Sequence, residues 1–149
     1  MSKQLILIVE DRAEQHCFVQ RATKGLDVEC VFACTATEAL DALEKAKLSN
    51  RSYNLVLFDL DLPGPNPVPG NTCRNNIDRG KVLYDQLRSL ISCPIVILSA
   101  YAELEPGIQA IAAMDPAPDK VVDKYPSIAE LREVLLSYLQ CSVQERVAV

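Results

Sequence analysis

The chain has 149 residues, 49% of them apolar and 23% charged, which suits one globular domain with a substantial core and leaves too little chain for two. Its 15 basic residues stand against 20 acidic ones, a net charge of -5, so nothing electrostatic draws it to nucleic acid or to an anionic membrane. No apolar run has the length of a signal-peptide core or a membrane span, and a cytoplasmic protein with neither nucleic-acid nor membrane partners is expected.

In chain order, Leu5 to Val9 is a leucine and β-branched run that reads as a buried strand ending in Glu10-Asp11. Ala13 to Lys24 reads as a helix, stopped by Gly25. Val28 to Phe32 is a second strand, and Thr35 offers an N-cap to a helix whose apolar stripe includes Leu40, Leu43 and Ala46. Tyr53 to Asp59 is a third strand, with Leu55-Val56-Leu57-Phe58 apolar without interruption. Such a run suits a strand buried on both faces, hence a parallel sheet covered by helices. The carboxyl ends of its strands then form a crevice, where Asp59 either does chemistry or caps the turn that follows.

Residues 60 to 79 break the rhythm, with Pro63, Pro65, Pro67 and Pro69 at alternate positions. That density excludes helix and central strand, so a long loop, about 63–79, is expected. Helical patterning resumes from Gly80 to Leu90, Pro94 to Ser99 is a fourth strand, and a helix is expected from Glu103 to Met114 with Pro106 in its first turn. Lys120 to Lys124 is a short fifth strand, Ile128 to Leu139 a last helix, and 141–149 a C-terminal tail. The cysteines at 17, 30, 34, 73, 93 and 141 form no Cys-x-x-Cys pair, and His16 is not at metal-ligand spacing from any of them. Buried free thiols are expected, with Cys73 the most exposed.

Four strands thus end in reactive residues: Glu10-Asp11, Asp59, Ser99 and Lys124. Gathered on one sheet edge, three carboxylates repel unless a cation sits among them, and oxygen ligands beside phosphate favour Mg²⁺. Ser99 and Lys124 offer a hydroxyl donor and a positive charge to phosphoryl oxygens. A carboxylate of the three that attacks phosphorus would give an acyl phosphate.

An acidic pair after the first strand, Asp59 in Asp-x-x-x-Pro-Gly, Ser99-Ala100 after the fourth strand and Lys124 after the fifth together resemble the receiver domains of two-component response regulators, of the single-domain CheY-like class. The likeness runs over about 1–140. It implies a flavodoxin-like α/β fold, a doubly wound (βα)5 arrangement with a parallel five-stranded sheet of order 2-1-3-4-5. It further implies a stand-alone phosphoacceptor, not a classical enzyme, in which Asp59 takes a phosphoryl group from a sensor histidine kinase or a histidine phosphotransfer protein and the output is a downstream protein target. In the same terms Asp11 and Asp59 bind Mg²⁺, Glu10 acts through water, Asp61 offers its backbone carbonyl, and Ser99 and Lys124 serve the phosphoryl group. A homodimer through the fourth helix, fifth strand and fifth helix is compatible with it.

Three departures accompany the resemblance. Asp59 and Gly80 are 21 positions apart, so the proline-rich loop is an insertion. Val121 stands where the family often has an aromatic, and Tyr125 separates Lys124 from Pro126. Two other readings start from the same residues. A degenerate receiver would only bind proteins. A haloacid-dehalogenase-like phosphatase would use Asp59 as nucleophile and Asp61 as general acid, but its first motif does not continue as Leu62-Pro63 and it leaves Glu10-Asp11 without a task. Tyr101, two positions after Ser99, is expected at the rim of the site, covering the phosphoryl group.

Overall fold

A computed structural model describes residues 3–67, 73–123 and 126–139. Strands and helices alternate: β1 (Gln4–Val9), α1 (Ala13–Ala22), β2 (Val28–Ala33), α2 (Ala36–Leu48), β3 (Leu55–Phe58), α3 (Asn76–Leu90), β4 (Ile95–Ser99), α4 (Gly107–Ala112), β5 (Lys120–Asp123) and α5 (Ile128–Tyr138). All neighbouring strands are parallel, in the order β2-β1-β3-β4-β5. This is the flavodoxin-like arrangement. No described helix is long and apolar enough to cross a membrane.

The uninterrupted apolar strands are explained by two cores, one on each face of the sheet. Successive side chains of a strand point to opposite faces. Leu5, Leu7, Val9, Val56, Phe58, Ile95 and Ile97 therefore pack on one side with Ala36 and Ala39 of α2 and Leu83, Tyr84 and Leu87 of α3. Ile6, Ile8, Leu55, Leu57, Val96 and Leu98 pack on the other with Val19 and Ala22 of α1 and Leu131 and Leu135 of α5. Burying a leucine or isoleucine in this way contributes roughly 1.5–3 kcal/mol.

The starts of α2, α3 and α5 are fixed by side-chain caps. Thr35 Oγ1 accepts from the Glu38 amide at 3.1 Å, and Glu38 in return accepts from the Cys34 amide. At α5 the box is fully reciprocal, the Ser127 hydroxyl accepting from the Glu130 amide and Glu130 accepting from the Ser127 amide. Asn75 does this for α3, accepting from the Asp78 amide at 2.8 Å while Asp78 accepts from the Arg74 amide. Residues 76–79, expected as the end of the loop, are therefore the first turn of α3. The polar pair Asn75 and Asp78 outweighs the prolines upstream.

Other boundaries also shift. α1 ends at Ala22, because the Thr23 hydroxyl turns back to the Val19 carbonyl at 3.0 Å. β3 begins at Leu55: Asn54 donates its amide to the Leu5 carbonyl but accepts the Leu5 amide with its side chain, not its backbone. α4 is shorter than expected: residues 100–106 form turns, and Pro106 is the N-cap rather than a first-turn residue. Gly107 lies so close to Tyr101 that a Cβ there would be 2.1 Å from the Tyr101 carbonyl oxygen. Of the cysteines, Cys17 is exposed and Cys73 is half-buried, the reverse of expectation, and the five described are free thiols. The tail, 141–149, with Cys141, lies outside the described residues.

Candidate functional site

Parallel pairing carries the ends of β1, β3 and β4 to one edge of the sheet. The Glu10 amide continues the ladder to the Ala33 carbonyl, and the Asp59 amide continues it to the Val9 carbonyl, both at 2.9 Å. Glu10 and Asp59 are each only 4% exposed and Ser99 is fully buried, while Asp11 is exposed. Carboxylate oxygens of Glu10, Asp11 and Asp59 all lie within 4.8 Å of one another. Charges at such separations repel strongly where water is scarce. The arrangement can hold a hard divalent cation, which takes its ligands from oxygen.

A neighbouring side chain agrees with that chemistry. Gln15 lines a small void of about 10 Å³ together with Glu10 and Asp59, and its Oε1 is buried without a hydrogen-bond partner. A bare buried acceptor beside carboxylates fits a hydrated cation, whose waters are donors.

The β1 junction is held from close by. Glu10 Oε1 accepts from the Arg12 amide at 3.1 Å. His16 Nε2 lies 2.6 Å from the Glu10 carbonyl oxygen, to which it donates, and its ring packs 4.5 Å from that of Phe32. His16 thus anchors the acidic turn, a role its sequence position did not suggest. The Ser99 Oγ accepts from the Tyr101 amide at 3.1 Å, which leaves its hydroxyl hydrogen free to donate elsewhere. Tyr101 itself is half-buried against the core that contains Phe58, Leu60 and Tyr84.

The β3 junction is held from farther along the chain. The Asp61 amide donates to Asp59 Oδ1 at 3.3 Å. The Asp61 carboxylate is outside the acidic cluster and accepts instead from Asn76 Nδ2 at 2.9 Å. Arg79 Nη1 donates both to the Leu62 carbonyl and to Asn76 Oδ1, each at 2.7 Å. Sequence reading missed Asn76 and Arg79 because it assigned both to loop. The Asn75-x-x-Asp78 cap was the available signal.

At the edge of the sheet, β5 runs to Asp123, which pairs with Ser99 of β4. Lys124 and Tyr125 lie outside the described residues. Val121 is 38% exposed. Cys34, at the end of β2, has its thiol pushed up by burial and then by the charges of Glu38, Asp11 and Glu10.

Known structures of this shape carry a similar description. A CheY-like response regulator receiver domain protein from Methanospirillum hungatei superposes with a TM-score of 0.68 at 24% identity, over 97% of this chain and 99% of that one. The fold is that of receiver domains. The receiver fold also matches a CheY-like domain from Methylobacillus flagellatus, with a TM-score of 0.62 at 25% identity over 93% of this chain and all of that one. The BeF3-activated N-terminal receiver domain of Klebsiella pneumoniae RstA matches with a TM-score of 0.67 at 22% identity, also over 93% of this chain and all of that one. No protein-family model and no curated protein matches by sequence.

Proposed function

We propose that the chain acts as a phosphoacceptor receiver, with Asp59 taking a phosphoryl group from a phosphohistidine of a sensor kinase or phosphotransfer protein. The observation that carries this reading is the meeting of the Glu10, Asp11 and Asp59 carboxylates within 4.8 Å at the strand ends of a receiver fold.

An Asp59 oxygen attacks phosphorus, a P–O bond forms and the P–N bond to the partner's imidazole breaks. The nitrogen keeps the electron pair, and an imidazole protonated on its other nitrogen leaves neutral. Asp59 is aimed by the Asp61 amide on one of its oxygens. The Ser99 hydroxyl donates to a phosphoryl oxygen, and the Lys124 ammonium pairs with another. Glu10, Asp11 and Asp59 would hold Mg²⁺, with the Asp61 backbone carbonyl as a further ligand. When bound, the cation neutralises charge that gathers on the transferring oxygens. Exposed apolar side chains on and beside α4, β5 and α5, namely Leu104, Ile108, Val121 and Ile128, supply surface for a downstream protein.

The phosphatase alternative needs Asp61 as a free general acid beside Asp59. Its carboxylate is instead engaged by Asn76.

The test is incubation with phosphoramidate and Mg²⁺ followed by intact mass measurement. One phosphoryl group is expected on the wild type and none on Asp59→Asn or in excess chelator. An unmodified wild type would leave a protein-binding receiver without phosphotransfer.

A further inference from the structure

The insertion between Asp59 and α3 is closed at its base. Asn76 bridges 15 residues back to Asp61, and Arg79 bridges 17 back to the Leu62 carbonyl. Arg79 also grips Asn76, so the two bridges are one unit. The fit is tight: a Cβ on Gly80 would lie 2.1 Å from the Leu60 carbonyl oxygen. The first turn of α3 therefore rests directly on residues 60–62, and the Asp61 amide within that stretch contacts Asp59 Oδ1.

We propose that Asn76 and Arg79 are positioning residues that fix the 60–62 turn, and through it the Asp59 carboxylate, independently of the insertion. This deepens the phosphoacceptor reading and rests on it for its biological meaning. The physical case has three parts. Arg79 Nη1 gives both of its hydrogens, one to the Leu62 carbonyl and one to Asn76 Oδ1, and its rigid planar guanidinium holds that nitrogen in place better than the flexible stem of a lysine would. Its Nε is buried without a partner, a cost that the native state carries at this spot. An insertion that left the turn untethered would give Asp59 and the Asp61 carbonyl many orientations, whereas metal ligands and attacking oxygens need one. The latch holds the 60–62 turn however many residues separate Leu62 from Asn75.

The test measures Mg²⁺ affinity by calorimetry and hydrogen exchange of the Asp61 amide, on the full chain, with thermal unfolding as a control for folding. Asn76→Ala should weaken Mg²⁺ binding by roughly tenfold and speed Asp61 exchange, while amides of the β1 strand keep their protection. Arg79→Lys should act in the same direction more weakly than Arg79→Met. Asn76→Asp sets a carboxylate against Asp61 and should be as damaging. The exchanged pair Asp61→Asn with Asn76→Asp restores the donor and acceptor in reverse and should recover most of the loss, which a purely structural role of each residue alone would not give.

Wild-type affinity and exchange in Asn76→Ala would overturn the proposal, as would an exchanged pair no better than Asn76→Asp. If the wild type binds Mg²⁺ yet takes no phosphoryl group from phosphoramidate, the phosphoacceptor reading fails, and affinity and exchange still judge the latch. If the wild type binds no Mg²⁺, Asp61 exchange alone decides it.

Discussion

Two junctions bring carboxylates to the same crevice by opposite means. Between β1 and α1 the chain needs only Glu10, Asp11 and Arg12, and the turn is tied by partners two and six residues away: the Arg12 amide and His16. Between β3 and α3 it runs from Asp59 to Asn75, and the turn is tied by Asn76 and Arg79 from across a proline-rich insertion. A short junction inherits its geometry from the elements it joins. A long one has to have it imposed, because closing a flexible loop costs entropy that local contacts do not return.

The strongest way to break the contrast is Gly80→Ala. The added methyl meets backbone, which cannot swing aside as a side chain would, so α3 has to lift from Leu60. Overpacking of this kind should cost roughly 2–3 kcal/mol, read by denaturant unfolding, in spite of alanine's better helix propensity. A stability equal to the wild type's would mean that the helix start is free to move.

His16→Ala probes the short junction. It removes the bond to the Glu10 carbonyl and the contact with Phe32, and a loss of about 1 kcal/mol is expected in the same experiment. Mg²⁺ affinity should fall less than in Asn76→Ala, because Glu10 keeps its backbone bond to Ala33.

These junctions also mark what the sequence could and could not tell. Runs such as Leu5–Val9 and Leu55–Phe58 are apolar on both sides, and that alone implied the two cores that are found. The meeting of Glu10, Asp11 and Asp59 was legible because the acidic pair and Asp59 come straight after such runs, so the pairing of β1 with β3 carries them together whatever the loops do. Asn76 and Arg79 were not, since their partners lie 15 and 17 residues away and no periodicity links them. α4 was overextended because Glu103 to Met114 has helical composition, while the close approach of Gly107 to Tyr101 is a tertiary demand. The partial burial of Tyr101 against the α3-side core was hidden for the same reason.

Replacing 65–72 by a short glycine-serine link tests the long junction from the other side. These residues stand in sequence between the two ends that the latch joins, and loop-closure entropy changes slowly with length, so stability should move by no more than about 0.6 kcal/mol. Mg²⁺ affinity should match the wild type's. A marked loss would show that the insertion itself shapes the site.

The smallest effect concerns thiol reactivity. Burial pushes the Cys93 thiol up to about 11, and at pH 8 it should resist iodoacetamide, since the thiolate is the reacting form. Exposed Cys17 should be labelled first and Cys34 later, its pKa raised by burial and by Glu38, Asp11 and Glu10. A raised thiol pKa leaves less thiolate at a given pH, so labelling of Cys34 should rise as pH increases through that shifted value. Mg²⁺ would offset the charges of Asp11 and Glu10 and should speed Cys34 while leaving Cys17 unchanged. Equal acceleration of both would indicate a general effect of the salt.

In the proposed reaction Asp59, among clustered carboxylates, forms the bond to phosphorus. Borohydride reduces an aspartyl phosphate to homoserine and leaves free carboxylates intact, so reduction after phosphoramidate treatment followed by peptide mass mapping locates the adduct. Homoserine in the peptide containing Asp59, dependent on Mg²⁺, is the predicted result; reduction at Asp11 or Asp61, or at no carboxylate in a protein that has gained a phosphoryl group, would contradict it.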